Sequence, residues 1–138
     1  MTSERGHRIV PHTADIRIEA WAPTREACLA EAVAAMVGSF ADIRAQPERS
    51  VSAELAADTD DDRLVAVLDQ VIYVLDTENA VAAGLTVDIG SRMLRVVMPV
   101  ADLEGVEIIG AVPKAVALSG LSMDHRDGRW CAAAIIDV

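Results

Sequence analysis

The chain has 138 residues, and its 22 acidic and 12 basic side chains give a formal net charge of −10. This length suits one domain, and a hydrophobic content of 52% is too high for a disordered segment. No apolar run approaches the roughly 20 residues that a membrane span needs, and residues 1–7 are polar rather than a secretory signal. We therefore expect a single domain over residues 1–138 that is cytoplasmic and does not bind membranes.

The charge balance also argues against direct binding of nucleic acid. Lys114 is the one lysine, and aromatic residues make up only 3% of the chain. A broad phosphate-binding face and a base-stacking platform are therefore not expected. The two cysteines, Cys28 and Cys131, lie in apolar stretches. They are interpreted as reduced thiols in the core, with a disulfide as the less favoured alternative.

The first third of the chain predicts a strand and then a helix. Within residues 9–21 the apolar residues Ile16, Ile18 and Ala20 alternate with the charged residues 17 and 19, which is typical of a half-buried strand. Thr24 is expected to cap a helix that ends near Gly38 and Ser39. The apolar positions at helical spacing are Leu29, Val33, Met36, Val37 and Phe40.

A short strand over residues 51–55 and a second helix are predicted next. The acidic run 58–62 supplies an N-cap and places negative charge where a helix dipole favours it. This run lacks the glycine and the distal glutamate of a calcium-binding loop, so we interpret it as a solvated helix start. The apolar stripe of the second helix comprises Leu64, Leu68, Val71, Ile72 and Leu75.

From Gly84 onward the hydrophobic period changes to two, which predicts strands. Residues 85–89 and 94–98 form one expected hairpin; residues 114–123 and 130–138 form a second, turned by Asp127-Gly128. Strands and helices occur in blocks rather than in strict β-α-β alternation. The sequence therefore predicts an α+β fold, a mostly antiparallel β-sheet with two amphipathic helices packed on it.

The candidate chemistry lies at the two ends of the chain. No nucleotide-binding glycine loop, zinc-type Cys/His cluster or G-x-S-x-G elbow is present. Asp137 precedes the terminal carboxylate of Val138, and two adjacent negative charges are unfavourable without a compensating cation or donor. If the first strand pairs with the last, Asp15 adds a third carboxylate, and an oxygen-only site suits Ca²⁺ or Mg²⁺. The alternative, favoured by the pattern alone, is a solvated Asp137 and a frayed terminus.

Four further residues are open to two interpretations. His12 can form an acid–base pair with Asp15 or, as is more typical, hydrogen-bond to backbone at the strand entrance. Asp76 and Glu78 belong to the segment that closes the second helix, where acidic residues oppose the dipole. Either turn hydrogen bonds made by Asp76 and Thr77 or a partner contact would explain this segment. Lys114 is either an edge residue whose stem covers apolar surface or a counterion for the carboxylates.

Taken together, these segments resemble the archease family, protein cofactors of RtcB-type tRNA-splicing RNA ligases. The opening motif of the family matches residues 11–16 (PHTADI), and its mid-chain motif is similar to residues 73–78 (YVLDTE). Its Lys-Ala-Val stretch matches residues 114–116, and its ending matches residues 136–138 (IDV). The ordered set spans almost the whole chain, which makes it more specific than any one of its motifs.

The resemblance implies a non-catalytic activator that promotes guanylylation and multiple turnover of the ligase. It implies a sheet-rich α+β fold with two helices. It also implies a divalent metal, typically calcium with magnesium as the alternative, held by Asp15, Asp137 and a main-chain or terminal oxygen of Val138. The candidate partner-contact or supporting residues are His12, Asp76, Glu78 and Lys114.

The chain departs from the family pattern at Ser119, where many relatives carry a histidine, and this leaves the metal positions intact. Two other functions compete with ligase activation. A stand-alone metal-dependent hydrolase would use His12 as general base and would turn over without a partner. A chaperone-like module would need an exposed apolar patch for its clients.

Overall fold

A computed structural model of the chain describes residues 4–11 and 15–138 and confirms the α+β class. In this part of the chain there are two α-helices, and every strand pair is antiparallel. The elements are β1 (Gly6–Pro11), β2 (Asp15–Ala22), α1 (Arg25–Gly38), β3 (Ala41–Ile43), β4 (Arg49–Ala56), α2 (Asp60–Glu78), β5 (Ala80–Ala82), β6 (Thr86–Ile89), β7 (Met93–Asp102), β8 (Val106–Ile108), β9 (Ala115–Arg126) and β10 (Arg129–Asp137).

The strands form two four-stranded sheets and a small two-stranded one. The first sheet has the order β1-β2-β10-β9, so the last strand of the chain lies between β2 and β9. In the second sheet β7 pairs with β4 along one edge and with β5 and β6 along the other. The small sheet joins β3 to β8. The fold thus brings the two ends of the sequence together in the centre of one sheet.

Both helices begin where the sequence predicts them. The Thr24 hydroxyl oxygen accepts a hydrogen bond from the Ala27 amide, and that of Thr59 accepts one from the Asp62 amide, each at 3.1 Å. These are ordinary N-caps, which satisfy amides that have no partner inside the helix. Phe40, which we assigned to the stripe of the first helix, lies beyond the end of α1 and is nonetheless fully buried.

One hydrophobic core unites the two sheets. Each helix contacts strands of both: α1 lies against β2 and β6, and α2 lies against β9 and β5. Because the apolar faces of both sheets and both helices meet in this core, the described residues form a single domain. Neither helix in this part of the chain is long and apolar enough to cross a membrane. The largest fully buried side chains include Phe40, Ile18, Leu29, Met36, Leu64, Leu68, Leu94, Met98 and Ile136.

Glu31 on α1 fixes the outer strand of the first sheet to the helix. It pairs with Arg5 and, at 2.7 Å, with Nδ1 of His7. Burial alone would raise the pKa of Glu31, but the hydrogen bonds from His7 and Arg5 outweigh this effect and lower the pKa. The carboxylate therefore remains charged and holds β1 against α1.

One prediction about the strands is wrong, and three short strands were not predicted. The expected single strand over residues 9–21 is a pair of antiparallel strands, in which Pro11 of β1 lies opposite Ile16 of β2. The short strands β3, β5 and β8 were not predicted, because three residues are too few to show a period of two. The Asp127-Gly128 hairpin is confirmed, and both residues adopt the positive φ that a tight turn of this kind requires, 54° and 79°.

Candidate functional site

The register of the first sheet places Asp15 directly opposite Asp137. Both residues stand at strand ends, Asp15 at the start of β2 and Asp137 at the end of β10, and their Cα atoms are paired. Directly opposed residues project to the same face of an antiparallel sheet, with Cβ atoms about 4.5–5.5 Å apart. The condition that the sequence left open, pairing of the first long strand with the last, is therefore met.

This carboxylate pair has the donor chemistry of a site for a hard cation. Oδ1 of Asp15 is buried, whereas Asp137 is exposed. Like charges opposite one another destabilise a sheet, and a divalent cation bound to both carboxylates would remove that repulsion. Within residues 4–11 and 15–138, no three or more His, Cys, Asp or Glu side chains group together as metal ligands. The two carboxylates therefore need further oxygen ligands, and the residue next to them, Val138, is half-buried against the core.

Lys114 is held beside this strand end by its backbone. Its amide donates a hydrogen bond of 2.7 Å to the carbonyl oxygen of Asp137. The side chain is exposed, and its ammonium group makes no ion pair with any residue that the structure describes. Of the two interpretations of Lys114, the geometry favours the edge residue over the counterion. His12 lies outside the described residues.

Asp76 and Glu78 belong to a different part of the molecule. The helix continues through both residues and ends at Asn79, which adopts a left-handed conformation with φ 51°. Residues 76–78 therefore form no turn, although the Thr77 hydroxyl donates a hydrogen bond of 2.7 Å to the carbonyl oxygen of Tyr73 within the last turns of the helix. Glu78 accepts a hydrogen bond of 3.1 Å from Arg49 on β4, which compensates a charge that opposes the helix dipole. Glu78 thus faces the second sheet rather than the strand pair that carries Asp15 and Asp137.

The sequence analysis interpreted the acidic run at the start of α2 as solvated, but the structure gives this run tertiary contacts. Asp60 pairs with Nε of Arg25 at 2.9 Å and with Nη1 of Arg63 at 2.7 Å. The Arg25 guanidinium also lies 4.1 Å from the ring centroid of Trp130. The side chain of Asp61 accepts a hydrogen bond from a backbone amide of β9. The run therefore ties α2 to α1 and to the first sheet, a role that needs tertiary contacts the sequence does not reveal.

The sequence analysis did not predict a pocket that the structure shows on the first sheet. A pocket of about 300 Å³ lies on the first sheet, and four arginines line it together with Trp21 and Cys131. Cys131 is only half-buried there, so the prediction that it is a core thiol is wrong, whereas Cys28 is fully buried as expected. Both cysteines are free. The arginines are far apart in sequence, and no local motif marks them.

Comparison with known proteins gives consistent matches over nearly the whole chain. A sequence profile of the Archease protein family (MTH1598/TM1083) matches residues 7–138. The probable protein archease of Mycobacterium tuberculosis, in strains CDC 1551 / Oshkosh and ATCC 25618 / H37Rv, is 44% identical over 134 residues. The aligned region covers 96% of this chain and 75% of that relative.

Two solved structures share the fold. The solution structure of Methanobacterium thermoautotrophicum protein 1598 has a TM-score of 0.66 at 18% identity and covers 96% of this chain and 99% of its own. The crystal structure of a Thermotoga maritima archease, described as a possible chaperone, has a TM-score of 0.66 at 14% identity and covers 94% of each chain.

Proposed function

This chain belongs to the Archease protein family, and from that premise we propose that it activates an RtcB-type tRNA-splicing RNA ligase. In this proposal the chain is a non-catalytic cofactor, which promotes guanylylation of the ligase and its multiple turnover. The observation that carries the proposal is the opposition of Asp15 and Asp137, because it joins the first and last family motifs in one place.

The proposal includes a divalent metal, Ca²⁺ or Mg²⁺, held by Asp15, Asp137 and a main-chain or terminal oxygen of Val138. When bound, the metal would supply positive charge and ligand positions for oxygen atoms. Ca²⁺ takes about 6–8 oxygen ligands, more than these residues offer, so water or oxygen groups of the partner would complete the shell. The hard-oxygen donor set supports this choice of cation.

The overall charge supports a partner with a basic docking region. With a net charge of −10, the chain is drawn toward a positively charged surface, such as one that binds the phosphates of a nucleotide. Association of the two proteins should therefore slow as ionic strength rises. Charge of this sign is unfavourable for direct binding of RNA by the chain as a whole.

The deciding experiment measures ligase guanylylation and multiple-turnover ligation with a cognate RtcB-type ligase. Wild-type protein should stimulate both, whereas Asp15→Asn and Asp137→Asn should not. Asp88→Asn is the matched control, since it removes one exposed carboxylate from the second sheet and should activate normally. Circular dichroism establishes that each variant is folded, and calorimetric titration with Ca²⁺ measures the metal site itself.

The outcomes separate the two parts of the proposal. If the wild type leaves guanylylation and turnover unchanged, ligase activation is wrong. If Asp15→Asn and Asp137→Asn both activate fully, the chain is an activator but the carboxylate pair is not its functional site. Turnover of a substrate by the chain alone would instead favour a metal-dependent hydrolase.

A chaperone-like role is the second candidate, because the Thermotoga maritima relative is described as a possible chaperone. Exposed apolar residues close together in sequence, Ile108, Ile109 and Val112, offer a small surface for such binding. Broad suppression of client aggregation that is insensitive to Asp137→Asn would favour this function over ligase activation.

A further inference from the structure

The arginine-lined pocket opens on the face of the first sheet that points away from the helices. Along β2 the buried residues are Ile18, Ala20 and Ala22, so the alternate residues project to the opposite face. Trp21 and its neighbours on that face line the pocket of about 300 Å³. The arginines of the pocket are Arg8, Arg17, Arg126 and Arg129.

Positive charge is concentrated here in an otherwise acidic chain. Four of the 12 basic side chains of the chain line this one pocket. The Glu19 carboxylate forms ion pairs with two of the arginines, at 3.1 Å from Nε of Arg8 and at 3.8 Å from Nη2 of Arg17. Asp124 pairs with Arg126 at 2.8 Å, and Asp127 also lines the pocket. Ion pairs this exposed are weak, so a multiply charged anion can compete for the guanidinium groups.

Of the four arginines in the pocket, Arg129 has the least compensated charge. Its guanidinium group forms no ion pair with the residues that the structure describes. It lies 5.3 Å from the ring centroid of Trp21, and Arg8 lies 5.2 Å from the same ring. Cation–π contact of this kind orients a guanidinium while leaving its N–H groups able to donate. Trp21 therefore holds two arginines in place before any ligand arrives.

The floor of the pocket is made of small residues. Ser122, Cys131 and Ala133 lie between the arginines, so a ligand can approach the sheet closely. Gly6 contributes to the same close packing, because a Cβ atom there would lie 2.6 Å from Cζ2 of Trp21. The indole of Trp21 thus packs directly against the backbone of Gly6, which fixes the position of the ring.

We propose that this pocket binds a diphosphate group, either as inorganic pyrophosphate or as part of a nucleoside diphosphate. Guanidinium groups match phosphate oxygens in paired hydrogen bonds, and several of them are needed for a doubly phosphorylated anion. A volume of about 300 Å³ is at the lower limit for ligand pockets, which suits the phosphates rather than a whole nucleotide. A long polyanion such as RNA is excluded, because the acidic surface beyond the pocket would repel it.

Isothermal titration calorimetry with inorganic pyrophosphate and with ADP tests the proposal. A buffer at low ionic strength without added divalent cations keeps the measurement separate from the carboxylate pair. Arg129→Gln should weaken binding of both probes about tenfold or more. Arg92→Gln is the matched control, since Arg92 is exposed and, in the described part of the chain, equally without an ion pair. The control should stay within about twofold of the wild type.

The Cys131 thiol provides a second readout in the unmodified protein. Because Cys131 lines the pocket and Cys28 is buried, bound pyrophosphate should slow the reaction of the one accessible thiol with a maleimide. This measurement stands even if Arg129→Gln does not fold.

Equal affinity for pyrophosphate and ADP would show that the phosphates alone are recognised, and tighter binding of ADP would show that the nucleoside adds contacts; either supports the proposal. It is overturned if neither probe binds saturably, if the two arginine variants weaken binding equally, or if pyrophosphate leaves the reactivity of Cys131 unchanged.

Discussion

Asp61→Ala is expected to lower the free energy of unfolding by about 2 kcal/mol. Oδ1 of Asp61, in the first turn of α2, accepts a hydrogen bond of 2.8 Å from the Met123 amide on β9. A hydrogen bond to a charged group contributes about 1.5–3 kcal/mol, and a carboxylate near a helix N-terminus contributes about 0.3–1 kcal/mol. Since Asp61 is exposed, the lower parts of both ranges apply, and their sum is about 2 kcal/mol.

Two further variants separate the hydrogen bond from the charge. Asp62 lies in the same turn, but its side chain has no hydrogen bond or ion pair to any described residue. Asp62→Ala should therefore cost only the dipole contribution, about 0.5 kcal/mol. Asp61→Asn keeps an acceptor oxygen and loses the charge, so its cost should be about 1 kcal/mol.

Urea unfolding followed by circular dichroism measures these differences directly, and calorimetry gives the melting temperatures. For a chain of this length 1 kcal/mol corresponds to about 4 °C, so Asp61→Ala should melt about 8 °C below the wild type. High salt should reduce the cost of Asp62→Ala, because it screens the dipole, while a clear cost of Asp61→Ala should remain. Equal costs for Asp61→Ala and Asp62→Ala, or a difference that salt abolishes, would refute the hydrogen bond as the cause.

Two other predictions concern titratable groups. Partial burial raises the pKa of the Asp69 carboxyl although the side chain is largely exposed, so the folded state binds the proton slightly more tightly than the unfolded chain and ionisation weakly opposes folding. Asp69→Asn should therefore stabilise the protein at pH 7 and have no such effect near about pH 3, where both states are protonated, as urea unfolding at the two pH values would reveal. Burial raises the pKa of the Cys28 thiol to about 12, so a thiol reagent at neutral pH should modify only Cys131 in the folded protein and both cysteines in denaturant. Two rapidly reacting thiols in the folded protein would contradict this.

The parts of the fold that the sequence predicted are those set by local chemistry. The cap at Thr24, the cap within the run 58–62 and the left-handed turn at Asp127-Gly128 depend on residues within four positions of one another, although the structure was needed to identify Thr59 as the second cap. The division of residues 9–21 into β1 and β2 was missed, because the alternation of apolar and charged residues covers only residues 16–20 and was extended across Pro11 to the preceding residues. Periodicity reports which face is buried, and it does not report where a strand reverses.

The two candidate sites also differ in how far the sequence could predict them, because one depends on a single strand pairing and the other on several. Asp15 and Asp137 could be connected from the sequence, because a single pairing, of the first expected strand with the last, brings the two residues together. The arginine pocket takes side chains from β1, β2, β9 and β10 and from the turn between the last two strands. Composition could not indicate this pocket, because net charge is an average over the whole surface, whereas the four arginines are gathered at one place by strand pairing.

The carboxylate pair and the arginine pocket share one face of the first sheet. Asp15, Arg17, Glu19 and Trp21 alternate along β2, so all four project to the side away from the helices. Arg17, which lines the pocket, stands two residues from Asp15, about 7 Å at 3.3 Å per residue, whereas Trp21 stands about 20 Å away. The near end of the pocket therefore lies within one Debye length of the carboxylate pair at 0.1 M ionic strength, and the far end, where Arg126 and Arg129 stand, lies about two Debye lengths away. Arg129→Gln should therefore leave the affinity of the carboxylate pair for Ca²⁺ intact, which allows the two proposals to fail or succeed separately.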